Sequence, residues 1–279
     1  MGNKIQKNKF RHELKYEMEL GLASQFFDDI QPYCELDKHA TATKSYEIAS
    51  IYYDTADLRF YRDREESVGY RRKIRLRAYN TEGKSTALFI EIKEKHKHFV
   101  SKKRINLRDR SILELGIPQH RIPLDLVIEH LEDSAEAREI AYLQKRLKLY
   151  PVVNIRYHRK AYIPMFEDDM RITLDTRITA GGTSLSQYNA NEEQPIIVPH
   201  QGVLEIKTNH RVPMWLQSAL TRYEMSQVRY SKYCLGVDKI YGRAGHMWLP
   251  AEDQPLDTGA SQEREEVVDM PLHSQVVNQ

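Results

Sequence analysis

The stretch KIRLRAY, residues 73–79, decides the fold. Side chains alternate across a β-strand. Read as a strand, it puts Ile74 and Leu76 on one face and Lys73, Arg75, Arg77 and Tyr79 on the other. The same division recurs along the chain. In 88–95, Leu88, Ile90 and Ile92 oppose Phe89, Glu91, Lys93 and Lys95. In 170–177, Ile172 and Leu174 oppose Arg171, Thr173, Asp175 and Arg177. In 203–207, Leu204 and Ile206 oppose Glu205 and Lys207, and in 12–18, Leu14, Tyr16 and Met18 oppose Glu13, Lys15 and Glu17.

A sheet with one face in a core and one in water would explain any single strand of this kind. A solvent face, however, usually mixes Ser, Thr, Gln and both signs of charge. These faces favour Arg and Lys, with single Glu residues at intervals. The pattern predicts a closed sheet whose apolar faces point outward under helices and whose charged faces line a tunnel. So many like charges can share an interior only if an anion neutralises them. A chain of phosphates suits Arg forks and Lys ammoniums, and the Glu residues suit a hard divalent cation, Mg²⁺ or Mn²⁺.

Strand patterns also cover 45–53, 69–79, 99–107 and 152–163, and helical periodicity covers 19–33, 133–149, 214–223 and 230–241. Asp54 is placed to cap a short helix running to Arg62. Segments 80–85 and 180–199 read as loops from their Gly, Asn and Pro content. Strand-rich and helix-poor, the order predicts an α+β protein built on an antiparallel β-barrel.

The chain has 279 residues, 41% hydrophobic and 29% charged, with a formal charge of +2. Residues 251–279 hold seven carboxylates and one Arg, a net −6, so residues 1–250 carry +8. The expected division is therefore a domain over 1–249 and an acidic, disordered tail over 250–279. A basic body predicts an anionic partner. Nucleic acid is disfavoured, because stacking platforms and exposed basic helices are missing from the pattern. Cys34 and Cys234 are isolated and read as reduced thiols of a cytoplasmic protein. P-loop, dinucleotide-binding, GxSxG, HExxH and CxxC signatures are absent.

FRHELKYEM, IASIYYDTADLRFY, YRRKIRLRAY, FIEIKEK, VSKKRINL, NIRYHRKAY, MRITLDT, VLEIKTN and VRYSKYCLGV occur in this order. Together they resemble the VTC domain, the polyphosphate polymerase domain of the triphosphate tunnel metalloenzyme (CYTH) group. The resemblance implies an antiparallel barrel around a tunnel. It also implies transfer of the γ-phosphate of ATP to growing inorganic polyphosphate, with Mn²⁺ or Mg²⁺. Other members of the wider group hydrolyse triphosphates or cyclise ATP. By the same resemblance, Lys15, Arg75, Arg77, Lys93, Arg159 and Arg171 are the catalytic cations. Tyr157, Arg156, Lys207, Arg229, Ser231 and Lys232 would bind substrate, and Glu205 the metal.

Arg11 stands where the group's ExExK signature has its first Glu, which weakens a two-Glu metal site on that strand and argues against adenylate cyclase or thiamine triphosphatase chemistry. Strict alternation separates Arg156 from Tyr157 and Arg159, so either the strand bulges there or both Arg residues approach the phosphate. Within the 279 residues there is neither the family's inositol-phosphate sensor domain nor its membrane helices. Any membrane association would come through a separate membrane protein.

Overall fold

A computed structural model describes residues 12–37, 45–81, 84–96, 99–117, 119–182 and 193–242. Arg11 and the acidic segment beyond position 250 lie outside them. The chain opens with β1 (His12–Glu19), α1 (Leu20–Ile30) and the short β2 (Cys34–Leu36). β3 (Tyr46–Asp54) and α2 (Arg59–Glu65) lead into β4 (Tyr70–Thr81), β5 (Lys84–His96) and β6 (Phe99–Asn106). After α3 (Leu124–Glu129) and α4 (Ala135–Leu147) come β7 (Tyr150–Pro164), β8 (Arg171–Gly182), the two-residue β9 (Gln194–Pro195) and β10 (Gln201–Thr208). The last elements are α5 (Met214–Arg222) and α6 (Lys232–Tyr241). All the strands join one antiparallel sheet whose main path is β1-β10-β8-β7-β3-β4-β5-β6.

The sheet curls rather than closing by hydrogen bonds. Among the described residues β1 and β6 do not pair with each other. Instead the free edge of β1 takes a bridge from Tyr16 to Gln227 and a 2.8 Å bond from the Val228 amide to the Lys15 carbonyl. The Lys93 ammonium of β5 reaches Glu13 of β1 at 2.9 Å and ties the two sides together.

The alternation read from the sequence sorts the side chains as expected over most of the sheet. On the convex side, Ile74, Leu76, Leu88 and Ile90 are buried with Ile140 and Leu143 of α4. Ile172, Leu174, Leu204 and Ile206 are buried with Phe26 and Ile30 of α1 and Leu216 of α5. Each such side chain contributes about 1.5–3 kcal/mol when fully buried.

The concave face departs from expectation at one end. There α6 lies against the sheet, with Tyr233, Val237 and Ile240 packed on Val153, Ile155, Ile178 and Ala180. The expected set of outer helices thus loses one member to the interior. A bulge makes this possible. The β7–β8 register slips between Arg156 and His158, and Arg177 on β8 adopts φ +50°. The extra residue turns Arg177 out to solvent, although alternation puts it with Asp175. It also turns Ile178 and Ala180 inward under α6. Gly236 lets the helix approach: a Cβ there would stand 2.4 Å from Ile155 Cδ1.

Asp54 sits earlier than a conventional cap, since α2 begins at Arg59. Its fully buried carboxylate accepts from the amides of Thr55, Phe60 and Tyr61 at 2.7, 2.9 and 3.0 Å, and from the Tyr233 hydroxyl. It therefore anchors both α2 and α6. Burial pushes it up to about 6 despite those donors.

Candidate active site on the concave face

Beyond α6 the concave face is charged, and two clusters organise it. The first surrounds Glu91, which is 1% exposed. The β4–β5 register sets Arg75 directly opposite Glu91, and the β5–β6 register sets Arg104 opposite it on the other side. One carboxylate oxygen accepts from Arg75 Nε at 2.8 Å and Nη2 at 2.6 Å. The other accepts from Arg104 Nε at 2.6 Å and from Lys102 Nζ at 2.8 Å. Arg75 also donates to Tyr52 Oη at 2.9 Å, and Arg77 to Tyr157 Oη at 3.1 Å.

The second cluster surrounds Asp175 and Glu205, on β8 and β10. Arg159 grips Asp175 with two parallel bonds of 2.6 and 2.7 Å, and Lys232 at the start of α6 reaches the same carboxylate at 2.6 Å. Glu205 lies 3.2 Å from Lys207, 3.5 Å from Arg159 and 3.8 Å from Lys15. Lys73 donates to Ser231 Oγ at 2.8 Å, and the same hydroxyl caps α6 by accepting from the Cys234 amide at 3.3 Å.

These neighbours set the ionisation. Burial alone would raise Glu91, but Arg75, Arg77, Lys102 and Arg104 hold it well below the usual carboxylate range. Asp175 is held at about 2 against burial by Arg159 and Lys232, and Glu205 is held low by Lys207, Lys15 and Arg159. The cations bear the complementary cost. Burial and neighbouring cations bring Lys102 down to about 7 and Lys207 to about 8, each only partly supported by its Glu. Tyr52, buried but beside Arg75, Arg77 and Lys73, falls to about 8. Cations outnumber carboxylates here, and each central carboxylate is already shared by two or more of them.

The expected residues do not all converge. Lys15, Arg75, Arg77, Tyr157, Arg159, Glu205, Lys207, Ser231 and Lys232 meet on the concave face. Lys93 stands nearer its rim, paired with Glu13 and 40% exposed in its side chain. Arg171 is held to one side by Asp37 and by Tyr46 Oη at 3.3 Å. Arg229 is exposed at the rim. Arg156 is a correction: it faces the other way, bonded to Glu47 at 2.9 Å and Glu193 at 2.7 Å. The bulge lies on β8 rather than at Arg156, so β7 alternates from Val153 through Arg159 and Arg156 stays on the convex side. Sequence reasoning left Lys73, Glu91, Lys102, Arg104 and Asp175 out of the site. Alternation placed Lys73, Glu91 and Asp175 on the charged face, and the same period in 99–106 would have added Lys102 and Arg104.

Among the described residues no three His, Cys, Asp or Glu side chains gather as a ready-made metal site. Glu13 and Glu205 do approach within hydrogen-bonding reach of each other. Two adjacent carboxylates fit a hard divalent ion that takes its remaining ligands from phosphate oxygens and water.

No helix among the described residues is long and apolar enough to cross a membrane. A comparison with curated proteins finds no match. Among solved structures, the PH1819 protein from Pyrococcus horikoshii OT3 is similar at 16% identity and a TM-score of 0.43, over 82% of this chain and 96% of that one. A protein described as a candidate adenylate cyclase, from Bacillus halodurans, is similar at 12% identity and a TM-score of 0.46, over 80% of this chain and 94% of that one. The sequence model of the VTC domain matches residues 10–241. With that match spanning most of its length, the chain belongs to the VTC domain family.

Proposed function

We propose that the concave face binds ATP and the end of a polyphosphate chain, and transfers the γ-phosphate of ATP to that chain. The observation that carries this reading is the surplus of cations around carboxylates that are already satisfied. Such a surface attracts a dense anion. A terminal phosphate oxygen of the chain attacks the γ-phosphorus, the bond to the β–γ bridging oxygen breaks, and ADP leaves with that oxygen's charge. Positioning and charge neutralisation carry most of such a step.

Arg75, Arg77 and Arg159 offer planar forks to non-bridging oxygens, and Lys15, Lys207 and Lys232 add point charges. Tyr157, bonded to Arg77 and lying under Arg159 and Lys232, fixes the orientation of these cations. A divalent ion, Mn²⁺ or Mg²⁺, held by Glu205 and Glu13 would neutralise charge on the phosphate oxygens.

Polymer synthesis is the reading that asks least of the protein's own acid–base groups. Glu91, Asp175 and Glu205 are each held below the usual carboxylate range by neighbouring cations and serve to orient them. A phosphate acceptor arrives already ionised and asks for no base. The test is incubation of the purified chain with Mn²⁺ and γ-labelled ATP. The expected product is a labelled anionic polymer. Labelled free phosphate alone would replace the reading with a triphosphatase. Tight polyphosphate binding without turnover would replace it with a non-catalytic binding subunit.

A further inference from the structure

One group of cations on the rim has no counterpart in the clusters above. On β4, Arg71 follows Lys73 outward with the same alternation, and on β5, Lys95 follows Lys93. The register sets Arg71 directly opposite Lys95. Like charges directly opposite in an antiparallel pair destabilise the sheet. Arg229, two residues before the Ser231 that bonds Lys73, adds a third cation to the same neighbourhood, and Lys93 a fourth. The carboxylate that acts on Lys95 most strongly among the described residues is Glu13, which is already paired with Lys93 and Lys207. Among the described residues, Arg71, Lys95 and Arg229 have no hydrogen-bond or ion-pair partner. Every cation of the inner clusters, by contrast, is tied to a carboxylate, a hydroxyl or a carbonyl. Exposure rises outward from 1% for the Glu91 side chain to 30% for Glu13 and 40% for Lys93, so the rim group lies where the concave face meets solvent.

We propose that Arg71 and Lys95, next to the expected substrate-binding Arg229, form a rim site for a linear oligophosphate, holding the part of the chain that extends beyond the concave face. The inference rests on the polyphosphate reading and adds a dependence on chain length to it. A ligand as short as tripolyphosphate is satisfied by the inner Arg and Lys residues and does not reach the rim. A long chain spans both, and the two contacts act through one ligand. A phosphate strand lying between Arg71 and Lys95 also offsets the repulsion that their pairing creates, which Glu13, shared with Lys93 and Lys207, relieves only in part.

The test compares wild type with the double variant Arg71→Gln/Lys95→Gln, titrated with tripolyphosphate and with linear polyphosphate of about 15 units. Each phosphate contact removed lowers the salt slope of polyanion binding by about one, so the variant should bind the long chain roughly tenfold more weakly, with a slope smaller by about two. Tripolyphosphate affinity should be unchanged. Arg71→Lys/Lys95→Arg should restore the long-chain affinity, and thermal melts show whether each variant is folded. Equal affinity of wild type and a folded glutamine variant for the long chain overturns the inference and leaves the polyphosphate reading standing. So does an equal loss for both ligands. Absence of polyphosphate binding in wild type itself overturns the reading beneath it. Weakened binding to anionic lipid vesicles with unchanged polyphosphate binding overturns the inference and assigns the group to a membrane surface instead.

Discussion

At the scale of single residues, cations converge on the concave face and outnumber the carboxylates there. Arg75 is the clearest. It holds Glu91 and Tyr52, yet Glu91 keeps Arg104 and Lys102 if Arg75 is removed. Arg75→Ala should therefore stay folded and lower the transfer rate by about 10²–10³, the usual loss for an oriented electrostatic donor. Steady-state rates beside a thermal melt would check this. Lys102 at about 7 and Lys207 at about 8 set a pH dependence. Below pH 7 both carry charge and meet phosphate directly. As pH rises through 7 and 8, the free protein loses these protons and must take them up again to bind. Polyphosphate affinity should fall over that window, with proton uptake visible by calorimetry in buffers of different ionisation enthalpy. The same lysines bind more protons unfolded than folded between those values and 10.5, so they make the ligand-free protein more stable as pH rises. Much of this site was legible in the sequence, because period two alone puts Arg75, Arg77, Glu205 and Lys207 on one face. The partners were not. That Glu91 is shared by Arg75 and Arg104, or Asp175 by Arg159 and Lys232, depends on register between strands and on where α6 lies.

At the scale of elements, the strand patterns of the first subsection all fall on strands of the sheet. β2, β9 and α3 escaped because segments of two to six residues hold too little periodicity to read. The β8 bulge escaped for another reason. Its left-handed residue is Arg177, a type with no special tendency toward positive φ, so nothing in the composition marks it. Its consequence is large, since it decides which face of β8 lies under α6. Arg177→Val should be destabilising, because a β-branched residue is strained at φ +50° more than Arg is. Arg177→Gly should cost little, since glycine adopts that conformation freely. A regular strand would reverse that order. Denaturant midpoints of the two variants decide between them.

At the scale of the whole molecule, α1, α3, α4 and α5 cover the convex side as the alternation implied, while α6 enters the concave side. Period two cannot say that a helix will occupy half of an interior. The arrangement matters for function. Ser231 and Lys232 open α6, so the helix that fills one end of the concave face also delivers a cation and a hydroxyl to the charged end. Structure and site are thus built from the same element. The basic body foreseen from composition is also sharper in three dimensions. Among the described residues, cations outnumber carboxylates on one curved surface, the concave face of the sheet.

The central claim is that this surface is a triphosphate and polyphosphate site, and calorimetric titration with tripolyphosphate tests it most directly. One equivalent should bind per chain and be displaced by ATP, with affinity lost in Arg75→Ala. Affinity should be unchanged in Arg108→Ala, which removes an exposed cation whose salt-bridge partner is Glu132. No saturable binding, or an equal loss in both variants, would contradict it.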